Sequence, residues 1–187
     1  MKVIMKAALA AAAIAAGSTA ASAGPVLDAI KQRGQLICGV NVGLGGFSLP
    51  DSQGKWTGLD VDYCKAVAAV ILGNAEKVKW VPTTAQQRFT ALQTGEVDIL
   101  SRNTTWTLTR DTSLGLNFTA VTYYDGQGFM VPKSLGVKSA KELNGATICV
   151  QPGTTTELNL ADWARANNIQ FKPVVIENAQ EINAAFF

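Results

Sequence analysis

Strand-like and helix-like segments alternate along the chain after residue 23, and this order constrains the fold more than any other feature. Strands are predicted in "QLICGV", "KVKWVPT" and "VDIL", and helices in "GLDVDYCKAVAAVILG" and "QRFTALQTG". A helix that links two strands of one sheet leaves those strands parallel. The βαβαβ order therefore predicts a parallel α/β sheet.

A second α/β unit is predicted further along. From Asp111 the segment "LNFTAVTYYDGQGFMVPK" is interpreted as a β-rich crossing. After it come a short helix in "SAKELNG", a strand in "ATICVQ", a longer helix in "TTTELNLADWARANN" and a strand in "FKPVVI". We therefore expect two α/β units joined by extended structure.

Polar residues mark the predicted helix starts. Asp60 or Asp62 is expected to cap the first long helix. Two later helices are preceded by a threonine with a Gln or Glu three positions on, which is the spacing of a capping box: Thr84 with Gln87, and Thr154 with Glu157.

The first 23 residues have the parts of a secretory signal peptide. Lys2 and Lys6 precede a short alanine-rich apolar run, and residues 21–23, "ASA", form a small-residue cleavage pattern. A membrane anchor is the alternative, but it would need a longer apolar stretch. We therefore expect export with cleavage after Ala23, and residues 1–23 are excluded from the fold.

The three cysteines of an exported chain leave one thiol over. Cys38 lies in a predicted strand and Cys64 near the start of the next helix, and such neighbours commonly pack together. Cys38–Cys64 is therefore the preferred disulfide in an oxidising compartment. Cys149 is then either a buried free thiol or the partner of a cysteine beyond Phe187.

Three clusters follow predicted strands: "NVGLGGF" (residues 41–47), "RNTTWTLTR" (residues 102–110) and "QPGTTTE" (residues 151–157). Ligands of open α/β sheets bind beyond the carboxyl ends of the strands. The three clusters therefore contain the candidate binding residues.

The second cluster is the most informative of the three. Arg110 offers a planar fork that matches a carboxylate, and Asn103 and Thr105 offer amide and hydroxyl groups beside it. The alternative is a surface arginine paired with Asp111.

The first and third clusters also have simpler interpretations. Amide N–H groups after Pro152 suit a carboxylate or phosphate, whereas capping alone explains Thr154. Phe47 is either a wall of a pocket or a core residue. The glycines of the first cluster do not give G-x-G-x-x-G, so no nucleotide or other cofactor is predicted.

Charge and composition exclude several classes of function. The chain has 16 Lys and Arg and 14 Asp and Glu, and removal of Lys2 and Lys6 leaves equal numbers, so nothing indicates nucleic-acid binding. The absence of histidine excludes a Ser-His-Asp triad and a His-containing zinc site. Binding without catalysis is the simpler interpretation.

Three stretches resemble the periplasmic amino-acid-binding proteins of ABC importers, solute-binding protein family 3: "GLDVDYCKAVAAVILG", "RFTALQTGEVDILSRNTTWTLTRD" and "QPGTTTELNLADW". More narrowly, "SRNTTWTLTRD" resembles the general L-amino-acid-binding branch. The specific parts are the T-x-x-x-x-R from Thr105 to Arg110 and the "GTT" at 153–155. The resemblance implies a type II periplasmic-binding-protein fold, in which two α/β lobes joined by a β-rich hinge close on a ligand.

The resemblance also implies roles for individual residues. Arg110 would clamp the α-carboxylate of an amino acid, with the backbone N–H groups of Thr105 and Thr155. The α-amino group would bond the Thr105 hydroxyl and the Asn103 carbonyl. The side-chain pocket would be lined by Asn41, Leu44, Phe47 and Ala85. Many narrower relatives carry an acidic and an aromatic residue at the positions of Asn41 and Leu44, so broad specificity is expected.

Family members are substantially longer, so the resemblance implies C-terminal truncation. Lobe 1 would cover residues 24–123, and residues 124–187 would hold the hinge crossing and the first part of an incomplete lobe 2. The apolar ending "EINAAFF" fits a chain that continues. An acidic residue for the α-amino group and the partner of Cys149 would lie in the missing part, so impaired binding is expected.

The resemblance implies a periplasmic monomer that delivers L-amino acids to a membrane permease. An alternative on the same fold is an enzyme, a dehydratase of a cyclic carboxylic acid. That enzyme would keep Arg110 but need a general acid, which none of the three clusters supplies. A ligand-sensing lobe of a receptor is a third alternative, and it is disfavoured because no membrane span is predicted after the signal.

Overall fold

The computed structural model describes residues 24–187. The predicted signal peptide, residues 1–23, lies outside this part of the chain. The first unit contains α1 (Pro25–Arg33), β1 (Leu36–Asn41), β2 (Leu49–Pro50), β3 (Trp56–Thr57), α2 (Leu59–Leu72), β4 (Val78–Thr83), α3 (Arg88–Gln93), β5 (Ile99–Leu100) and α4 (Leu108–Thr112). The second unit contains two 3-10 turns (Lys133–Leu135 and Ala140–Leu143), β6 (Thr147–Val150), α5 (Thr155–Asn167), β7 (Lys172–Val175) and α6 (Ala179–Phe186).

The first unit is built on a parallel sheet of order β4-β1-β5, as predicted. Strand β1 lies in the middle, and its residue Cys38 pairs with Trp80 on one side and Ile99 on the other. The strands β2 and β3 form a small antiparallel pair outside this sheet. Because all three parallel strands end at the same edge, the loops after them lie close together.

The core of the first unit forms where helices α1 and α2 cover this sheet. Leu36 and Val40 of β1 are buried against Ile30 of α1 and Ala68 of α2. Both faces of β1 are covered, which explains why this strand reads as a nearly continuous apolar run.

The preferred disulfide is confirmed. Cys38 and Cys64 are bonded, with a Cα–Cα distance of 6.3 Å, and both are fully buried. The bridge fastens the central strand β1 to helix α2 within the core. Cys149 is half-buried on β6 and has no disulfide partner within residues 24–187.

The predicted aspartate cap of helix α2 is wrong. The helix starts after Gly58, and neither Asp60 nor Asp62 is its cap. Instead, backbone carbonyls of the preceding loop accept the first helical N–H groups: Leu59 N donates to Gly46 O and Asp60 N to Phe47 O, both at 3.0 Å. The helix start is thus held by the loop of the first cluster.

Of the two predicted capping boxes, only the second lies at a helix start: Thr154 is the N-cap of α5, whereas α3 starts after Gln87, which makes no side-chain cap bond. Gln87 N donates to Thr84 Oγ1 at 3.3 Å, and Thr84 N donates to Gln87 Oε1 at 3.4 Å. Glu157 N donates to Thr154 Oγ1 at 3.1 Å, while the Glu157 carboxylate accepts from Gly153 N at 2.9 Å. The second pair fixes the start of α5, with Glu157 bonding the N–H of Gly153, and the first pair closes a turn ahead of α3.

The second unit is smaller and more open. Strands β6 and β7 form a two-stranded parallel sheet in which Cys149 pairs with Val174. Beside it Phe129, Trp163 and Phe171 form an aromatic cluster with ring centroids 5.6–6.2 Å apart. All four residues of β7 are exposed, so this sheet is covered much less completely than the first.

The prediction of a β-rich crossing is wrong in its detail. Residues 117–132 contain no assigned strand, and residues 116–131 make no backbone–backbone hydrogen bond within the described chain. A strand needs a neighbour that accepts its N–H groups, and no other segment of residues 24–187 lies alongside to do so. The segment is held by side chains instead: Phe47 packs edge-on against Tyr123, and Asn159 donates to Gln127 Oε1 at 3.1 Å.

Within the described residues, no helix has the length and hydropathy of a membrane span.

Candidate functional site

The three predicted clusters meet between the first and second units. The Thr105 and Thr155 hydroxyls lie 3.0 Å apart, which joins the second cluster to the third. Asn41 Nδ2 donates to Asn103 Oδ1 at 2.9 Å, which joins the first cluster to the second. The structure therefore brings together five of the eight predicted binding residues, with Arg110 the fifth.

Arg110 lies at the centre of this arrangement. Helix α4 begins after Thr107, whose hydroxyl accepts from Arg110 N at 3.3 Å. The guanidinium donates through Nη1 to Thr105 O at 2.8 Å and through Nη2 to Gly153 O at 3.4 Å. Arg110 is buried, so the alternative of a surface arginine paired with Asp111 does not describe it.

Arg88 is a second arginine of the site, and the sequence analysis missed it. It is 2% exposed, and it donates through Nη1 to Asn103 O at 3.0 Å and through Nη2 to Gly153 O at 3.2 Å. Its guanidinium and that of Arg110 lie 4.7 and 5.1 Å from the centre of the Phe89 ring. Helical spacing could have revealed it, because Arg88 is three residues before Ala91 on the buried face of α3.

A third buried arginine, Arg102, lies just behind the site. It donates to Thr83 O at 2.6 Å and to Asn103 Oδ1 at 2.8 Å. Burial lowers the pKa of Arg102 to about 10, with Asp60 opposing this effect and Arg110 adding to it. Burial raises the pKa of Asp60, while the charge of Arg102 acts in the opposite direction.

The electrostatics of the site favour an anion. Burial, followed by repulsion from Arg102 and Arg110, lowers the pKa of Arg88 to about 9, and burial also lowers the pKa of Arg110. The guanidinium groups of Arg88 and Arg102 therefore carry most of their charge at neutral pH, and Asp60 is the one buried acidic residue among residues 24–187. A carboxylate placed between Arg88 and Arg110 would compensate part of this excess charge.

The predicted pocket residues are less closely gathered. Leu44 forms an antiparallel bridge with Ser48 inside its own loop. Phe47 is half-buried and packs edge-on against Tyr123, with ring centroids 5.1 Å apart. Ala85 is buried, and its carbonyl oxygen lies 3.6 Å from the position that a Cβ at Gly153 would take.

Close packing across the cleft depends on glycines at two points. A Cβ at Gly153 would lie 3.2 Å from Gln86 Cγ, and one at Gly43 would lie 2.5 Å from Gln180 Nε2. Gln86 and Gly43 belong to the first unit, whereas Gly153 and Gln180 belong to the second. The two units therefore approach each other closely at both points.

The donor set suits a small ligand with a carboxylate. Arg88 and Arg110 converge on one carbonyl oxygen, that of Gly153, and a carboxylate offers two such oxygens with a full charge. Within residues 24–187, no group of three or more His, Cys, Asp or Glu could hold a metal ion.

The chain is similar in sequence to known amino-acid-binding proteins. The chain is 61% identical over 183 residues to the general L-amino acid-binding periplasmic protein of Rhizobium johnstonii, and covers 53% of that protein. It is 62% identical over 170 residues to the glutamate/glutamine/aspartate/asparagine-binding protein of Rhodobacter capsulatus, and covers 49% of it. These alignments include 98% and 91% of the present chain, which spans about half the length of either relative.

A solved structure gives the same result. It is described as an ABC transporter or periplasmic binding protein from Brucella ovis with glutathione bound, and it is 57% identical with a TM-score of 0.83. The match covers 88% of the present chain and 52% of that one. Residues 36–185 match the family described as bacterial extracellular solute-binding proteins, family 3. The chain therefore belongs to the family 3 bacterial extracellular solute-binding proteins, and it has the type II periplasmic-binding-protein fold.

Proposed function

We propose that the protein captures free L-amino acids in the periplasm and delivers them to the membrane permease of an ABC importer. The observation that carries this proposal is the position of Arg110, buried between the second and third clusters with its donors directed at the Thr105 and Gly153 carbonyls. The names of the two relatives, both amino-acid-binding proteins, support it.

The α-carboxylate is the first anchor of the ligand. Arg110 would donate to it from its planar fork, and Thr105 and Thr155 would add their backbone N–H groups. Hydrogen bonds to charged groups contribute about 1.5–3 kcal/mol each, against roughly 8 kcal/mol for micromolar binding. The carboxylate grip alone therefore does not reach micromolar affinity, and the amino group must also be held.

The α-amino group is the second anchor. The Thr105 hydroxyl and the Asn103 carbonyl would accept its N–H groups. The Asn103 backbone oxygen accepts from Arg88 Nη1 at 3.0 Å, so an ammonium there would share or replace this bond. Arg88 would then be free to turn towards an anionic group of the ligand.

The side-chain pocket would be formed by Asn41, Leu44, Phe47 and Ala85. These residues provide one amide and three apolar surfaces and no charge, which fits a broad range of side chains. Glutathione, which occupies the related Brucella ovis protein according to its description, is a second ligand to test.

The proposal also covers where the chain is cleaved on export and how it divides into lobes. Residues 1–23 would be removed after Ala23 on export, residues 24–123 would form lobe 1, and residues 124–187 would form the hinge crossing with part of lobe 2. The protein would act as a monomer.

Isothermal titration calorimetry tests the proposal. One protein starts at Gly24 and ends at Phe187, and a second continues after Phe187 with the remaining length of the Rhizobium johnstonii relative. We expect micromolar or tighter binding of several L-amino acids by the longer protein, and binding by the shorter protein that is at least tenfold weaker.

Matched ligands test the two anchors separately. For the tightest-binding amino acid, the analogue without its α-carboxylate and the analogue without its α-amino group are each expected to lose at least about tenfold in affinity. Full affinity for either analogue, or no binding of any L-amino acid by the longer protein, would overturn the proposal.

A further inference from the structure

Three polar side chains, two of them buried, form a continuous hydrogen-bonded chain at the site. Arg102 Nη2 donates to Asn103 Oδ1 at 2.8 Å, and Asn41 Nδ2 donates to the same oxygen at 2.9 Å. Asn41 Oδ1 in turn accepts from Gly43 N at 3.0 Å. We call Arg102, Asn103 and Asn41 the amide relay.

The relay has a fixed direction because an arginine side chain has only donors. The atom of Asn103 that faces Arg102 must therefore be its oxygen. Asn41 reaches the same oxygen and must present its own N–H₂ group, which leaves its oxygen for the amide of Gly43. Arg102 at one end and the Gly43 N–H at the other thus set the orientation of the two amides.

Arg102 is well suited to this role. It is 7% exposed, and its other nitrogen, Nη1, is anchored on Thr83 O at 2.6 Å. Its pKa, about 10, leaves the guanidinium protonated at neutral pH, so it cannot become an acceptor. The negative charge of Asp60 favours the protonated guanidinium.

The relay determines which atom of Asn103 faces the cleft. Its Oδ1 lies between Arg102 and Asn41, which are both buried, whereas Asn103 as a residue is exposed. Asn103 Nδ2 donates to no protein group within residues 24–187, so it is the free, outward donor of this side chain. The neighbouring backbone oxygen of Asn103 bonds Arg88, which places the residue at the cleft.

We propose that Arg102 is a positioning residue which holds the Asn103 N–H₂ group towards the cleft, so that the ligand atom received there is a hydrogen-bond acceptor. The inference rests on the proposed amino-acid-binding function and makes it more specific. The favoured ligands are amino acids whose side chains carry a carbonyl or carboxylate oxygen. Apolar side chains of the same shape would leave the Asn103 donor unpaired.

Nuclear magnetic resonance of the side-chain amides tests the relay without any ligand. In the chain from Gly24 to Phe187, Asn41 and Asn103 are each expected to show one pair of N–H₂ signals. Arg102→Gln replaces a donor-only group by one that donates or accepts, so the Asn103 N–H₂ signals should shift and lose dispersion, while Asn41 keeps its orientation through the Gly43 N–H. Arg102→Lys keeps a donor-only cation and should retain the original Asn103 signals. Unchanged Asn103 signals in Arg102→Gln would overturn the proposal.

Ligand selectivity tests the consequence for binding. L-Asparagine and L-leucine are both neutral and nearly equal in shape, so loss of the Arg102 charge affects both alike. In the longer protein described above, we expect L-asparagine to bind at least about tenfold more tightly than L-leucine. Arg102→Gln should reduce this ratio severalfold, and Arg102→Lys should retain it.

Two further variants keep the test decisive. Asn103→Leu removes the donor without touching Arg102 and should abolish the preference, so a preserved preference would overturn the proposal even if Arg102→Gln did not fold. Arg165→Gln changes an exposed arginine of α5 and should leave spectra and selectivity unchanged. If the longer protein binds no amino acid, the proposed function fails, while the amide spectra still decide the relay.

Discussion

The two units of the molecule are held together in different ways. In the first unit the strand β1 is buried on both faces, and a disulfide fastens it to helix α2. In the second unit every residue of β7 is exposed, and packing relies on a half-open aromatic cluster around Trp163. The first unit therefore carries most of the stability, and it also supplies the arginines of the site. The second unit contributes the Gly153 carbonyl and the start of helix α5. These groups need only lie close to the arginines.

The largest difference between the units should follow from removing buried apolar volume. Leu36→Ala in β1, where the side chain is 1% exposed, should cost about 2–5 kcal/mol of unfolding free energy because it leaves a cavity. Val174→Ala in β7, where 40% is exposed, should cost less than about 1 kcal/mol. Urea unfolding measures the loss of stability in each variant. Hydrogen exchange shows which unit is destabilised. Equal losses would contradict the comparison.

Removing the disulfide should have the next largest effect. The bridge spans 26 residues, and the double change Cys38→Ala with Cys64→Ala should lower stability by about 3 kcal/mol. Cys149→Ala is the control and should cost less than about 1 kcal/mol, since that thiol has no partner in the described chain. Hydrogen exchange should increase in β1 far more than in β6. A uniform increase would show that the units unfold together.

A smaller effect is expected from the carboxylate that binds the backbone of the central strand β1. Asp98 Oδ2 accepts from Ile37 N at 2.7 Å and also from the Arg33 guanidinium. Asp98→Asn should destabilise the first unit by about 1.5–3 kcal/mol, because charge-assisted bonds to the β1 backbone are lost. Asp162→Asn, in an exposed ion pair of α5, is the matched control and should have no measurable effect. Thermal unfolding of both variants provides the measurement.

The smallest effect concerns pH. Burial raises the pKa of Asp60 in the folded protein above its ordinary value of 3.8. The unfolded chain then loses this proton first, so the contribution of Asp60 to stability is fully present below pH 3.8 and is lost as pH rises through the folded pKa. Asp60→Asn lacks this dependence. The stability of the original protein minus that of Asp60→Asn should therefore decrease with pH over this window, and an increase would show that ionisation of Asp60 is stabilising.

Much of the fold was predictable because local signals decided it. The apolar β1 run, the glycine stops and the Thr154 cap act through neighbouring residues, so the sequence places β1 and α5 correctly. The start of α2 was not predictable in this way. Its first N–H groups bond Gly46 O and Phe47 O, and that contact exists only once the loop has folded back.

The site was predictable only in part for the same reason. The hydroxyl-rich loop after β5 indicated Arg110, Thr105 and Asn103, which lie close together in one short stretch of sequence. Arg88 and Arg102 are buried cations, and their burial depends on carbonyls contributed by Gly153 and Thr83 from distant parts of the chain. Composition gives no signal for such a contact.

The most direct test of the central claim is the affinity of Arg110→Met. The measurement uses isothermal titration with the tightest-binding L-amino acid, in the protein that continues after Phe187 into the Rhizobium johnstonii sequence. Arg165→Met, at an exposed position of α5, is the matched control. The account predicts that Arg110→Met loses at least about a hundredfold in affinity while Arg165→Met binds as the parent does. Parent-like binding by Arg110→Met would contradict it.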